Sequence, residues 1–144
     1  MISEENMKVH FNKTLGITII VLGVLDILMI LVLALMGARI SMGGIFILLA
    51  VVLGILFLTR PYFIVEEGTL EVRALIGPAS TIYKFKKPQD FSVEKYKVFL
   101  TAAAHDRQQL PVFGWLAHGK DWKAFARWTE TGEWPPEPKK KKNK

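Results

Sequence analysis

Two apolar stretches near the N-terminus decide the fold of this chain. The first, residues 15–38, reads LGITIIVLGVLDILMILVLALMGA, and the second, residues 40–59, reads ISMGGIFILLAVVLGILFLT. At about 1.5 Å per residue, a helix over either stretch reaches the roughly 30 Å thickness of the hydrocarbon core of a bilayer. We therefore predict a transmembrane helical hairpin over 15–59, with its turn near Arg39.

A cleaved signal peptide is the alternative interpretation of the first stretch. Against it, the apolar core is too long, no clean small-x-small cleavage site follows, and a second apolar stretch begins at once. We therefore favour a membrane hairpin over a secretion signal.

Small residues mark one face of each predicted helix. In lipid, helix association depends on close packing, and small residues let two backbones approach each other. We predict that these two faces meet, through the helix-packing residues Gly16, Gly23, Gly43, Ala50 and Gly54.

Asp26 is the only formally charged residue of the first stretch and lies near its middle. A carboxylate at that depth costs roughly 3 kcal/mol on insertion scales. We favour a protonated Asp26 that is hydrogen-bonded across the hairpin or across a homodimer. A proton relay or a docking point for another membrane protein is the alternative.

Basic residues near the ends of the two stretches favour cytoplasmic termini. Lys8 and Lys13 precede the first stretch and Arg60 follows the second, whereas the turn between them holds only Arg39. We predict a multi-pass protein of the cell inner (plasma) membrane, with residues 1–14 as a cytoplasmic flank.

The net charge of +6 comes almost entirely from the end of the chain. Residues 61–138 hold ten basic and ten acidic side chains, which argues against a nucleic-acid-binding face. The Pro/Lys-rich tail, 133–144, either contacts anionic lipid or is a solvated extension. The candidate contacts with lipid headgroups are Arg60, Trp134, Lys139, Lys140, Lys141, Lys142 and Lys144.

Residues 60–132 predict a small antiparallel β domain closed by a helix. Apolar and polar residues alternate in short segments that turn residues separate, which is typical of strands. The predicted strands lie near 61–65, 70–75, 82–85, 91–93, 96–103 and 110–115. A final amphipathic helix has Asp121 in its first turn, Gly132 at its end, and Trp122, Phe125, Ala126 and Thr129 on one face.

This order of elements resembles the bacterial membrane-anchored PH-like domain proteins of the YcxB-like type. The likeness covers about residues 15–131 and rests on Phe63 to Leu70, Ile82 to Phe85, Val98 to Leu100, Leu110-Pro111 and Trp122 to Phe125. It implies an α+β membrane protein in which a two-helix transmembrane hairpin precedes a small PH-like β-sheet or barrel closed by a C-terminal helix. The resemblance implies binding or assembly rather than a transferable chemistry.

The sequence holds no recognisable catalytic or metal-binding pattern. It has no cysteine, and His10, His105 and His118 lie far apart without metal-ligand spacing. We therefore expect no enzyme activity, metal or cofactor.

The predicted function is a membrane-tethered interaction or assembly module that binds a membrane-protein partner or anionic lipid. Its predicted partners are the lipid bilayer and either another membrane protein or a second copy of the chain, but no nucleic acid. The alternative is a subunit of an oligomeric transporter or membrane enzyme that uses Asp26 within the bilayer.

Overall fold

A computed structural model of the chain describes residues 6–39, 43–101 and 106–136. In this part of the chain, three α-helices and two small antiparallel sheets form an α+β fold. A short 3-10 helix, Pro88–Asp90, precedes the fifth strand. The elements are β1 (Met7–His10), α1 (Lys13–Leu35), α2 (Gly43–Thr59), β2 (Pro61–Glu66), β3 (Thr69–Arg73), β4 (Ser80–Lys84), β5 (Phe91–Glu94), β6 (Lys97–Thr101), β7 (Arg107–Phe113) and α3 (Gly119–Thr131).

The two sheets are simple antiparallel meanders. The first has the order β1-β2-β3-β4 and the second the order β5-β6-β7. In the first sheet, Met7 pairs with Val65 and Val9 with Phe63. The strands before and after the helical pair are therefore direct neighbours, and α1 and α2 are an insertion between two paired strands.

The position of β1 differs from the sequence prediction, which assigned residues 1–14 to a flank outside the β domain. The structure pairs Met7–His10 with β2 and buries the side chains of Met7 and Val9. A four-residue strand becomes recognisable only beside its partner, and that partner follows the entire helical pair. The β domain thus begins before the helices and resumes after them.

The hydrophobic core is built from the inner faces of both sheets and from α3. The largest fully buried side chains are Trp128, Phe63 and Phe125. The sequence pattern placed Phe125 on the core face of α3 but did not place Trp128 there. The ring of Trp128 lies 5.5 Å from that of Phe85 and 5.9 Å from that of Phe125, so α3 buries a wider face than predicted.

The ends of α3 agree with the sequence prediction. Asp121 lies in the first turn, and Gly132 ends the helix in the left-handed conformation with φ of 75°. The amide of Gly132 donates to the carbonyl of Trp128 at 2.8 Å. This bond satisfies one of the carbonyls that a helix leaves without a partner at its C-terminus.

The helices α1 and α2 pack side by side in antiparallel directions. Gly16, near the start of α1, contacts Leu58, near the end of α2. Gly23, about two turns further along α1, contacts Val51. Of the described residues, only α1 forms a helix long and apolar enough to cross a membrane. α2 is apolar but shorter, with 17 residues.

Candidate functional site

Three glycines lie where α1 and α2 approach each other most closely. A Cβ added at Gly54 would lie 2.6 Å from Cγ1 of Ile20 and 3.0 Å from the carbonyl oxygen of Gly16. A Cβ at Gly23 would lie 2.6 Å from Cγ2 of Val51. A contact of 2.6 Å is shorter than real Cβ atoms show, so a larger residue at Gly23 or Gly54 would force the facing side chain or the helices themselves to shift.

The two other predicted packing residues are placed less closely. Ala50 is half-buried, and Gly43 is the exposed first residue of α2. By comparison, a Cβ added at Gly44 would meet nothing within 4 Å. The tight part of the contact therefore lies between the first half of α1 and the second half of α2.

Asp26 lies outside the contact between the helices. Its side chain is exposed, whereas Gly23 is buried and Ile30 is half-buried. At about 100° per residue, a position three residues after Gly23 is rotated by about 60° from it around the helix. Among the described residues the Asp26 carboxyl has no hydrogen-bond partner within the chain, so the structure does not show the predicted bond across the hairpin. The alternative bond across a homodimer stays a prediction.

A cationic pocket of about 440 Å³ lies where α2 joins the β domain. Arg60 and Pro61 line it at the end of α2, Glu71 and Arg73 line it from β3, and Ser80 lines it from β4. Part of the β3–β4 loop, residues 74 and 77–79, completes the wall. Because β3 pairs with β4 at Arg73 and Ser80, the register of the sheet brings these two residues together.

Hydrogen bonds hold both guanidinium groups of the pocket. Nη1 of Arg60 donates to the carbonyl oxygens of Gly77 at 3.1 Å and Leu75 at 3.4 Å. Nη2 of Arg73 donates to Oε2 of Glu71 at 3.2 Å. The hydrogen bond from Arg73 lowers the pKa of the Glu71 carboxyl, which is therefore ionised at neutral pH. Two cations and one carboxylate leave the pocket with a net positive charge.

A second polar cluster, at the same end of the helical pair, joins the segment that leads into α1 to α3. Oδ2 of Asp121 accepts hydrogen bonds of 3.0 Å from the backbone amide of His10 and from its Nδ1. Nδ1 of His118 lies 3.7 Å from Oδ1 of the same carboxylate. Within residues 6–39, 43–101 and 106–136, no three His, Asp or Glu side chains are arranged to hold a metal ion. The cluster fastens β1 to α3, immediately before the chain enters α1.

The other predicted headgroup contacts divide into two groups. Trp134 is half-buried, and its ring lies 5.1 Å from that of Trp128, so it packs against the core. The tail contacts Lys139, Lys140, Lys141, Lys142 and Lys144 lie outside the described residues, as does His105.

Sequence reasoning singled out Arg60 but missed the rest of the pocket. Arg73 follows ordinary strand alternation, and nothing in that alternation distinguishes a binding side chain from a solvated one. The available indication was the loop sequence Ala-Leu-Ile-Gly-Pro-Ala at 74–79, which is unusually apolar for an exposed turn.

Comparison of the chain with protein-family models, with curated proteins and with solved structures finds no match. The resemblance to membrane-anchored PH-like proteins therefore rests on the sequence pattern alone.

Proposed function

We propose that this chain is a non-enzymatic, membrane-tethered interaction or assembly module. In this proposal α1 and α2 span the inner membrane as a hairpin, and the β domain, of PH-like type, faces the cytoplasm. The module binds another membrane protein or anionic lipid at or near the membrane surface.

The observation that carries this proposal is the outer surface of the two helices. Large apolar side chains cover it, with Leu22 57% and Leu25 56% exposed on α1 and Leu48 62% exposed on α2. An apolar surface of this extent is typical of contact with lipid or with another protein rather than with water. The β domain, in contrast, buries its apolar residues in a core of its own.

The length of α2 is compatible with a second span. Its 17 helical residues cover about 26 Å at about 1.5 Å per residue. A transmembrane helix ranges from about 17 to 25 residues, since thinning of the bilayer and flanking polar residues accommodate short spans. Tight packing of α2 against α1 through Gly54 supports treating the pair as one membrane unit.

The absence of cysteine from the sequence allows a direct test of topology. Single cysteines introduced as Ala38→Cys, in the turn after α1, and Ser92→Cys, on the exposed side of β5, report on the two ends of the molecule. In intact cells, we expect a membrane-impermeant maleimide to label the first variant and to spare the second until the membrane is opened. Labelling of both variants from the same side would contradict the two-span hairpin.

The binding role is tested on the full chain purified in mild detergent. We expect a defined membrane-protein partner or a preference for anionic over zwitterionic lipid, and variants of surface residues should weaken the binding without unfolding the β domain. A chain that purifies alone and binds both lipid classes equally would contradict the proposal.

Asp26 favours a second candidate function, a subunit of an oligomeric transporter or membrane enzyme. Its carboxyl is exposed on the outer side of α1, among side chains that the proposal places in lipid. Because an isolated carboxylate is costly there, a neighbouring helix or a second copy of the chain would cover it. If the Asp26→Asn and Asp26→Leu variants both assemble and function like the unaltered chain, this second function is excluded.

A further inference from the structure

The end of the β domain next to the helices exposes apolar side chains on both sides. Ile76, in the β3–β4 loop, is 68% exposed, and its loop is hydrogen-bonded to Arg60, the first residue after α2. Trp115 is 55% exposed, and its carbonyl accepts a hydrogen bond of 3.4 Å from Asn12, the N-cap of α1. Exposed apolar residues thus flank the points where both helices join the domain.

We propose that the cationic pocket between Arg60 and Arg73 binds the phosphate of an anionic phospholipid headgroup, while Ile76 at the tip of the β3–β4 loop enters the outer part of the same bilayer. This inference rests on the proposed function, because it requires that α2 ends at the membrane surface. It adds to that function a specific site and a specific class of ligand.

The position of Arg60 places the pocket at headgroup level. Arg60 directly follows Thr59, the last residue of α2, and arginines at the ends of membrane helices extend to the interface. Its bonds to the carbonyls of Leu75 and Gly77 hold the β3–β4 loop at the same level. Trp115, on the side of α1, is of the residue type enriched at that depth.

The chemistry of the pocket fits a single phosphate. A guanidinium carries five N–H donors in a plane, and the two carbonyl bonds of Arg60 engage only its Nη1. Glu71 orients Arg73 through one hydrogen bond from Nη2, and Ser80 lies on the pocket wall beside it. A volume of about 440 Å³ accommodates a headgroup with its phosphate.

Insertion of the loop is tested on the full chain in lipid nanodiscs. A polarity-sensitive fluorophore is attached to the single cysteine of Ile76→Cys or, as a matched control, of Glu67→Cys. Glu67 is exposed in the turn that follows β2, and β2 itself extends about 17 Å away from Arg60 at about 3.3 Å per residue. We expect nitroxide-labelled lipids to quench the probe at position 76 and to leave the probe at position 67 unchanged. Equal quenching, or none at either position, would overturn the insertion of this loop.

Headgroup binding is measured by native mass spectrometry of the full chain in detergent with added phosphatidylglycerol or phosphatidylcholine. We expect Arg60→Gln and Arg73→Gln each to weaken phosphatidylglycerol binding about tenfold, the loss expected for one charge-assisted contact. Arg127→Gln removes an exposed arginine from α3 and should stay within twofold of the unaltered chain. If all three variants weaken binding equally, the effect is one of net charge and the pocket is not the site.

Two further measurements distinguish a wrong ligand from a wrong membrane topology. Inorganic phosphate at millimolar concentration should not displace the lipid; displacement would make the pocket a site for free phosphate rather than for a headgroup. The cysteine labelling at Ala38→Cys tests the two-span hairpin independently. If the hairpin spans the membrane but the probe at position 76 is not quenched, only this inference is refuted. If the hairpin does not span the membrane, the proposed function is refuted as well.

Discussion

Tyr62 joins the two sheets through its side-chain hydroxyl. It lies on β2, yet its hydroxyl accepts a hydrogen bond of 2.9 Å from the backbone amide of Phe113 and lies 3.5 Å from the carbonyl oxygen of Pro111, both on β7. Tyr62→Phe leaves that amide without its acceptor in a part-buried position. We expect the free energy of unfolding to fall by about 1–3 kcal/mol. Urea unfolding of the full chain in detergent measures the loss, with Tyr96→Phe, at an exposed tyrosine, as the control.

The same hydroxyl predicts how stability responds to alkaline pH. Burial raises the pKa of Tyr62 above its ordinary value of 10.0, although the hydrogen bond from Phe113 acts in the opposite direction. The folded state therefore holds the phenolic proton more tightly than the unfolded state, and this contribution is complete below pH 10 and is lost as pH rises further. We expect the unfolding midpoint to fall more steeply above pH 10 in the unaltered chain than in Tyr62→Phe. Identical pH profiles for the two proteins would contradict the predicted shift.

Two glycines of α2, Gly54 inside the contact with α1 and Gly44 outside it, allow a matched comparison of glycine-to-alanine variants. At Gly54 an added Cβ meets the backbone oxygen of Gly16 at 3.0 Å, whereas at Gly44 it meets nothing within 4 Å. Alanine favours helix over glycine by about 1 kcal/mol, so Gly44→Ala should be neutral or slightly stabilising. Gly54→Ala should destabilise the helical pair by about 1–3 kcal/mol because the helices must separate. Thermal unfolding in detergent compares the two variants, and an equal effect would contradict the observed packing.

Strands β2 to β7 could be predicted near their observed positions because turn residues bound them and their side chains alternate, although β7 covers Arg107–Phe113 rather than 110–115. The strand β1 could not, because its partner β2 is separated from it by both helices and it shows only two buried positions, Met7 and Val9. The buried face of α3 is wider than predicted. The sequence pattern placed Phe125 on that face but not Trp128, and both side chains are fully buried. Similarly, Arg60 could be predicted as a headgroup contact because it directly follows α2. Arg73 could not, because its place in the pocket depends on the register between β3 and β4.

At the scale of the whole molecule, aromatic contacts connect the helices directly to the core of the β domain. The ring of Phe57, on α2, lies 4.7 Å from that of Phe11, which in turn lies 4.6 Å from Tyr62. Tyr62 then contacts Phe63, one of the fully buried core residues. The contact between Phe57 and Phe11 thus packs the end of α2 against the β domain, close to Arg60. The proposed headgroup pocket lies at this same junction.

The insertion of both helices between β1 and β2 leads to a prediction about which shortened chains fold. Residues 60–144 alone lack Met7, Val9 and Phe11, which are buried in the core of the full chain. Each lost side chain removes about 1.5–3 kcal/mol of burial, against a typical total stability of about 5–15 kcal/mol. We therefore expect residues 60–144 alone to be unfolded or aggregated in circular dichroism and sedimentation.

Restoring β1 should rescue the fold without the helices. Because His10 pairs with Pro61, residues 6–12 can be joined to residue 60 by a linker of about six Gly and Ser residues in place of α1 and α2. We expect this shortened chain to be soluble and to unfold cooperatively, whereas the same chain carrying Val9→Asp should not, since it places a charge in the core. If residues 60–144 alone unfold cooperatively at the same temperature as the joined chain, β1 contributes nothing to the domain and the helices are a simple N-terminal anchor.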